Sequence, residues 1–252
     1  MAEALLRAEG ISVRFGGLVA VDAVDAAFEA GELVGIIGPN GAGKTTFFNA
    51  ISGVTEPSAG RLLIGGRNLA GRAPHRFAAH GIARTFQTPR VFAEMPVQAN
   101  IDFGLQFAGR RHARGADGVP YALRSVDSIL ALTGLTSLAG LPAAAITPSQ
   151  QRLLEIGMAL STRPRLLLLD EVAAGLTEAE VEAMAQLIRR LRDELGLAVV
   201  WIEHAVTTLL RHVERVIVLH QGRKIADGVP ADVVRDAGVI EAYLGDEMVG
   251  TP

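Results

Sequence analysis

Cysteine is absent from this chain, which excludes a disulfide framework and a thiolate metal site and fits a reducing compartment. Long apolar runs are missing too. None approaches the roughly 18 residues that a membrane-spanning helix needs, and the longest are short stretches such as Ala198 to Ile202. Any membrane role is therefore expected to come through a partner. An excess of positive charge is also lacking: 24 Lys and Arg face 27 Asp and Glu, a formal net charge of −3. General nucleic-acid binding needs a basic surface, so no nucleic-acid partner is expected. Met1-Ala-Glu-Ala-Leu-Leu-Arg7 has no basic start followed by a long apolar stretch, so no signal peptide is expected.

What is present is the composition of an ordinary folded protein. The 252 residues are 49% hydrophobic and 20% charged, enough for one large domain or two small ones.

The most informative stretch is Glu32-Leu-Val-Gly-Ile-Ile-Gly-Pro-Asn-Gly-Ala-Gly-Lys44-Thr-Thr46. Leu33 to Ile37 reads as a buried strand. The residues after it fit G-x-x-x-x-G-K-[ST], with Gly38, Gly43, Lys44 and Thr45 at the required spacing around Pro39, Asn40, Gly41 and Ala42. Glycines let the backbone curl so that successive N–H groups converge on phosphate oxygens. A helix expected from about Gly43 adds the positive end of its dipole. Lys44 supplies a full charge to the β- and γ-phosphates, and the Thr45 hydroxyl is placed to ligate Mg²⁺, with Thr46 beside it. A plain Gly-rich turn is the alternative, but a strand in front and an apolar helix behind (Phe47, Phe48, Ile51) favour a nucleoside triphosphate site.

Residues 5–31 alternate apolar and polar, as half-buried strands do, with Gly16-Gly17 as a turn. Phe15, just before that turn, reads equally as a core residue or as a stacking platform for an adenine. Further on, a short strand is expected at Arg61 to Gly65 and a short helix around Pro74 to His80. Ile82 to Gln87 is expected to be a strand ending on a glutamine.

Residues 88–145 differ in texture from both flanks, and 88–160 read as a helical subdomain inserted into the core. Helical patterns run from Val97 to Phe107 and from 121 to 135, around Gly109-Arg-Arg-His-Ala-Arg-Gly-Ala-Asp-Gly118, read as a solvated loop whose basic residues have phosphates or lipid headgroups as alternative partners. Thr147-Pro-Ser-Gln150 opens another helix. Thr147 suits an N-cap, Pro148 the first turn, and Gln150 completes a capping box; Gly157 sits inside that helix at a cost of roughly 1 kcal/mol relative to Ala.

Leu166-Leu-Leu-Leu-Asp170-Glu171 is a continuous apolar run, the pattern of a parallel strand covered on both faces, with two carboxylates at its carboxyl end. Asp170 suits Mg²⁺ held through water, and Glu171 suits a general base that polarises an attacking water. Capping of the following helix is the other use of such a pair, and the phosphate loop upstream weighs against it. Thr177-Glu-Ala-Glu180 is a second capping box. Ala198 to Ile202 is another buried strand, ending Glu203-His204, and Val216 to Leu219 with Lys224 to Ala226 form a hairpin around Gln221-Gly222.

In this order the pieces resemble the ATP-binding subunit of ABC transporters over nearly the whole length. They are most similar to the subunits that serve branched-chain amino acid importers. The resemblance rests on Phe15-Gly-Gly-Leu18, Gly38 to Thr46, Pro74-His-Arg76, Gly81-Ile-Ala-Arg-Thr-Phe-Gln87 and the tail Val239-Ile-Glu-Ala-Tyr-Leu-Gly245. It implies an α/β P-loop NTPase core of the RecA-like kind with an N-terminal antiparallel β subdomain and an inserted helical subdomain at about 88–160. Residues 1–228 are expected to form one ATPase domain, and 229–252 a short C-terminal extension.

The resemblance also implies roles. Phe15 stacks on adenine, Gln87 joins Mg²⁺ and senses the membrane subunit, Glu171 is the catalytic base and His204 contacts the γ-phosphate. Ala174-Gly175-Leu176 matches a loop that crosses to a second ATPase subunit. Thr147, Ser149 and Gln150 belong to a signature that completes the partner's ATP site. Implied partners are that second subunit, transmembrane permease subunits and a separate substrate-binding protein, with the chain on the cytoplasmic inner face of the membrane.

The signature departs from its family. Where Leu-Ser-Gly-Gly-Gln is usual, this chain has Ile146-Thr147-Pro148-Ser149-Gln150. Pro148 removes an N–H and Ser149 adds a side chain. Loss of a donor to the γ-phosphate is worth about 10²–10³ in rate. A homodimer carries that change in both sites, so a heterodimer is expected. A largely structural ATP-binding subunit is the alternative, and a soluble ABC ATPase of translation or DNA repair fits less well. Val172 and Ala205 also replace a usual proline and a usual acidic residue.

Overall fold

The computed structural model describes residues 4–112, 121–203 and 205–249. Its framework is two sheets. Strands β1 (Leu6–Phe15) and β2 (Leu18–Phe28) pair antiparallel across the Gly16-Gly17 turn, with Leu6 opposite Phe28 and Phe15 opposite Leu18. Strands β4 (Ala59–Ile64) and β5 (Arg67–Asn68) complete this first sheet in the order β2-β1-β4-β5.

The second sheet holds β3 (Leu33–Ile37), β6 (Ile82–Arg84), β7 (Leu166–Asp170), β8 (Ala198–Ile202), β9 (Arg215–His220) and β10 (Arg223–Gly228). Its order is β10-β9-β3-β8-β7-β6, and only β10 runs antiparallel to its neighbour. Every residue of β3, β7 and β8 is buried. The strand period of two divides them between two cores. Val34, Ile36, Leu166, Leu168, Val200 and Ile202 face one core, shared with β1, β2 and the helix α1 (Lys44–Ile51). Leu33, Ile37, Leu167, Leu169, Val199 and Trp201 face the other, shared with the inserted helices.

Those helices are α3 (Val97–His112), α4 (Val126–Thr133) and α5 (Pro148–Ser161); α2 (Pro74–Ala79) precedes them. Their packing explains Gly157. A Cβ there would lie 3.3 Å from Ile101 and 3.4 Å from Ile129, so the missing side chain lets α3 and α4 close on α5. Helix α6 (Glu178–Leu195) follows β7 and buries Met184, Leu187, Ile188 and Leu191; α7 (Val206–Leu210), α8 (Pro230–Val233) and α9 (Ala237–Val249) complete the described chain. Both expected capping boxes form, at Thr147 with Gln150 and at Thr177 with Glu180.

Three expectations are corrected. The strand ending on Gln87 stops at Arg84, because the Thr85 N–H makes the last rung to Leu168 O and the next free amide, on Phe86, turns to the Glu155 side chain. The helix from 121 starts only at Val126, where the Ser125 hydroxyl accepts from the Ser128 N–H; Tyr121–Leu123 is a 3₁₀ turn. The loop expected at 109–118 is helical up to His112, and residues 113–120 lie outside the described residues.

Candidate nucleotide site

The phosphate loop leaves the carboxyl end of β3. Gly38 has φ 151°, and a Cβ on it would sit 2.0 Å from the Leu219 carbonyl oxygen, so only glycine fits where β3 passes β9. The loop is tied from below by the β9–β10 turn. Gly222 N–H donates to Ala42 O at 3.0 Å, and Asp22 N–H to Gly222 O at 2.8 Å. Gly43, in the left-handed region, delivers the chain into the N-terminus of α1. The buried Lys44 ammonium donates to Gly38 O at 2.6 Å and Pro39 O at 2.9 Å, arching along the loop.

Above the loop is a cavity of about 620 Å³. Asn40, Gly41, Ala42, Gly43, Lys44, Thr45 and Thr46 line it, and Phe15 lies at its rim with 53% of its surface exposed. The strand turn thus sets an aromatic ring beside the glycine loop. This pairing suits a base stacked on Phe15 with its phosphates against amide donors.

The carboxylates enter from β7, one strand removed from β3 in the sheet and running parallel to it. Asp170 is buried. Its Oδ2 accepts from Arg84 at 2.6 Å, and its N–H donates to Thr85 Oγ1 at 3.2 Å. Arg84 also reaches Asn49 Oδ1 and Ser52 Oγ, so it connects α1 to the end of β7. Glu171 follows with φ 51°, a left-handed conformation rare for a side chain of its size. Its N–H is fixed on Ile202 O, its carbonyl oxygen accepts from Arg152 of α5, and its Oε2 accepts from Gln87 Nε2 at 2.7 Å. A strained backbone with its N–H, its carbonyl oxygen and Oε2 anchored presets the carboxylate.

Two acidic residues that sequence patterns left without a role sit behind this arrangement. Glu203 Oε1 accepts from Ala173 N–H at 2.6 Å and Trp201 Nε1–H at 3.0 Å, which fixes the turn after Glu171; burial raises its pKa against those two bonds. Glu155 is buried on α5 beneath the Gln87 segment. The apolar run Leu153 to Leu160 around Glu155 and the apolar strand before Glu203 are the available signs that each is buried.

The structure therefore brings Gln87 and Glu171 together, and Phe15 with the loop Asn40 to Thr46 around one cavity. Thr147, Ser149 and Gln150 do not line that cavity; they form the partly exposed N-terminal turn of α5. His204 lies outside the described residues. Among the described residues no three His, Cys, Asp or Glu side chains cluster as a metal site. The oxygen donors Thr45, Asp170 and Gln87 are of the hard kind that Mg²⁺ takes, with water and phosphate completing its shell.

A family model described as ABC transporter matches residues 21–174, and one described as branched-chain amino acid ATP-binding cassette transporter matches 223–249. The chain belongs to the ABC transporter family. It is 37% identical over 260 residues to the high-affinity branched-chain amino acid transport ATP-binding protein BraF of Pseudomonas aeruginosa, covering 98% of this chain and 100% of that one. It is 35% identical over 254 residues to LivG of Escherichia coli K12, again covering 98% and 100%. Among solved structures it is similar to the ADP conformation of MJ1267, an ATP-binding cassette of an ABC transporter, with TM-score 0.81, 28% identity, and 97% and 100% covered. The fold is the α/β cassette of ABC ATPases, and the chain is an ATP-binding, ATP-hydrolysing member of that family. No helix among the described residues is long and apolar enough to cross a membrane.

Proposed function

We propose that this chain powers a membrane importer for branched-chain or related amino acids, as a peripheral ATPase on the cytoplasmic face. The observation that carries the substrate class is the match of residues 223–249 to the branched-chain cassette model. On this reading residues 1–228 are the cassette, 88–160 its helical subdomain, and 229–252 an extension. Its partners are permease subunits, a separate substrate-binding protein and a second, non-identical ATPase subunit.

ATP is the substrate. Phe15 stacks its base, the amides of Gly38 to Thr46 hold its phosphates, and Lys44 leaves the loop carbonyls to meet the β- and γ-phosphates. Glu171 takes a proton from water as the water oxygen bonds to the γ-phosphorus and the bond to the β-phosphate oxygen breaks. Gln87 orients Glu171 and, with Thr45 and Asp170, would hold Mg²⁺, which would neutralise charge on the phosphates. His204 is assigned to the γ-phosphate.

The turn at Thr147 supports the heterodimer. Pro148 has no N–H, Gln150 N–H is taken by Thr147 Oγ1, and Thr147 N–H by Gln150 Oε1. The same turn favours a second reading, a structural subunit unable to promote turnover opposite it. ATP turnover by the purified chain, alone and mixed with its candidate partner ATPase, separates the two. Loss of the mixed rate in Glu171→Gln and Lys44→Ala supports a working site here; dependence on the partner's own carboxylate alone supports the structural subunit. Recovery of the chain with ribosomes or DNA instead of permeases would overturn both.

A further inference from the structure

Helix α5 does more than begin with the signature turn. Arg152 and Glu155 lie three residues apart on one face of it, and that face meets the hydrolytic carboxylate by two routes. Arg152 donates directly to the Glu171 carbonyl oxygen. Glu155 acts on the segment that carries Gln87. Its Oε1 accepts from the Phe86 N–H at 3.2 Å and from the Arg90 N–H at 3.0 Å, which are the two ends of a five-residue loop with Gln87 inside. The Arg90 guanidinium stacks over the Phe86 ring at 3.9 Å and closes the same loop. From this loop Gln87 Nε2 reaches Glu171 Oε2 at 2.7 Å.

The Glu155 side chain is costly to keep. It is only 4% exposed, and its other oxygen, Oε2, is buried and takes no hydrogen bond. An apolar side chain of similar volume would sit beside Phe86, Met158 and Ala159 without that cost. What the carboxyl adds is one oxygen that two loop amides share.

We infer that Glu155 is a positioning residue for ATP hydrolysis, fixing the Phe86–Arg90 loop on α5 so that Gln87 holds the Glu171 carboxylate in place. This rests on the reading of Gln87 and Glu171 given above. It makes α5 the common support of the signature turn at one end and of the hydrolytic pair along its side. The role needs an acceptor and not a negative charge, so a carboxamide serves it.

The test compares Glu155→Met, which keeps the length and loses the acceptor, with Glu155→Gln, which keeps the acceptor, in the full chain assembled with its ATPase partner. Glu155→Met is expected to lower kcat about tenfold, the scale of amides left without partners, while nucleotide affinity stays within about twofold. Glu155→Gln should recover kcat to within about threefold of the parent. Adding Glu155→Met to Gln87→Ala should change kcat by less than about twofold, since effects through one shared path do not add.

Unchanged kcat in Glu155→Met while Gln87→Ala is impaired overturns this inference alone. Independent, multiplying losses in the double variant also overturn it. Unchanged kcat in Gln87→Ala overturns the assignment of Gln87 and this inference with it. Amide exchange in the unmodified protein is a reading that needs no variant to fold. Slow exchange at both Phe86 and Arg90 is expected, and fast exchange at either sinks the proposal.

Discussion

Arg84 donates to the Asp170 carboxylate at 2.6 Å with both side chains almost wholly out of solvent. The guanidinium also lies about 5 Å from the rings of Phe48 and Phe86 and donates to Asn49 and Ser52. One arginine thus joins the helix behind the phosphate loop to the strand that ends in the acidic pair. Arg84→Ala leaves the Asp170 charge without its guanidinium, and breaking a buried pair costs about 3–5 kcal/mol. A large drop in the urea midpoint is expected, with loss of ATP turnover. Arg84→Lys should not restore either, because an ammonium lacks the planar fork that reaches Thr85, Asn49, Ser52 and Asp170 at once. An unchanged midpoint in Arg84→Ala would show that the pair carries no net stabilisation.

Gly38→Ala puts a methyl group where the Leu219 carbonyl already stands, 2.0 Å away. Either the loop or β9 has to move. Backbone strain of this kind costs about 1–3 kcal/mol, so ATP affinity should fall by roughly 5- to 150-fold. A fluorescent nucleotide titration measures it, and parental affinity would mean that the loop tolerates the shift.

Glu155 makes stability depend on pH. Burial pushes its pKa from 4.5 to about 7, against the amide bonds from Arg90 and Phe86 and the charges of Arg152 and Arg90, which pull it down. The folded protein keeps a proton that the unfolded chain releases above 4.5. The stabilisation is complete below that value and is lost as pH rises to about 7, roughly 3 kcal/mol in all at ~1.4 kcal/mol per unit. Glu155→Gln removes the titrating group. Unfolding free energies of the parent, measured against those of the variant, should therefore fall across that window. Parallel curves would show that Glu155 takes up its proton alike in the folded and unfolded chain.

Thr147→Ala removes half of the capping box at the start of α5. A lost N-cap of this kind costs about 1 kcal/mol. Thermal unfolding should register that loss, whereas Ser149→Gly, at a partly exposed position, should stay within about 0.5 kcal/mol. A larger loss in Ser149→Gly would point to its hydrogen bonds with Thr147 and Glu180 as the stronger anchor.

Features written in neighbouring residues are legible in the sequence. The phosphate loop, both capping boxes, the strands β3, β7 and β8 and the Gln221-Gly222 turn are all patterns of a dozen residues or fewer. Long-range pairings are not legible in this way. Arg84 and Asp170 are 86 positions apart, and Glu155 lies 69 from Phe86. No local rule marks such pairs, because neither an arginine in a short strand nor a glutamate in a helix names its partner. The same reason explains the misplaced end of β6. Extended sequence continues to Gln87, but the backbone donors after Thr85 are claimed by a side chain from a helix far along the chain.

The sheet order also sets when this protein becomes itself during synthesis. Strand β3 is flanked by β8 and β9, and the loop beyond it rests on Leu219 and Gly222. A growing polypeptide therefore carries its ATP-binding loop exposed and unsupported while most of the remaining sequence is made. The loop acquires its floor only when residues past Gly222 leave the ribosome, so a motif near the start of the chain is among the last to take shape.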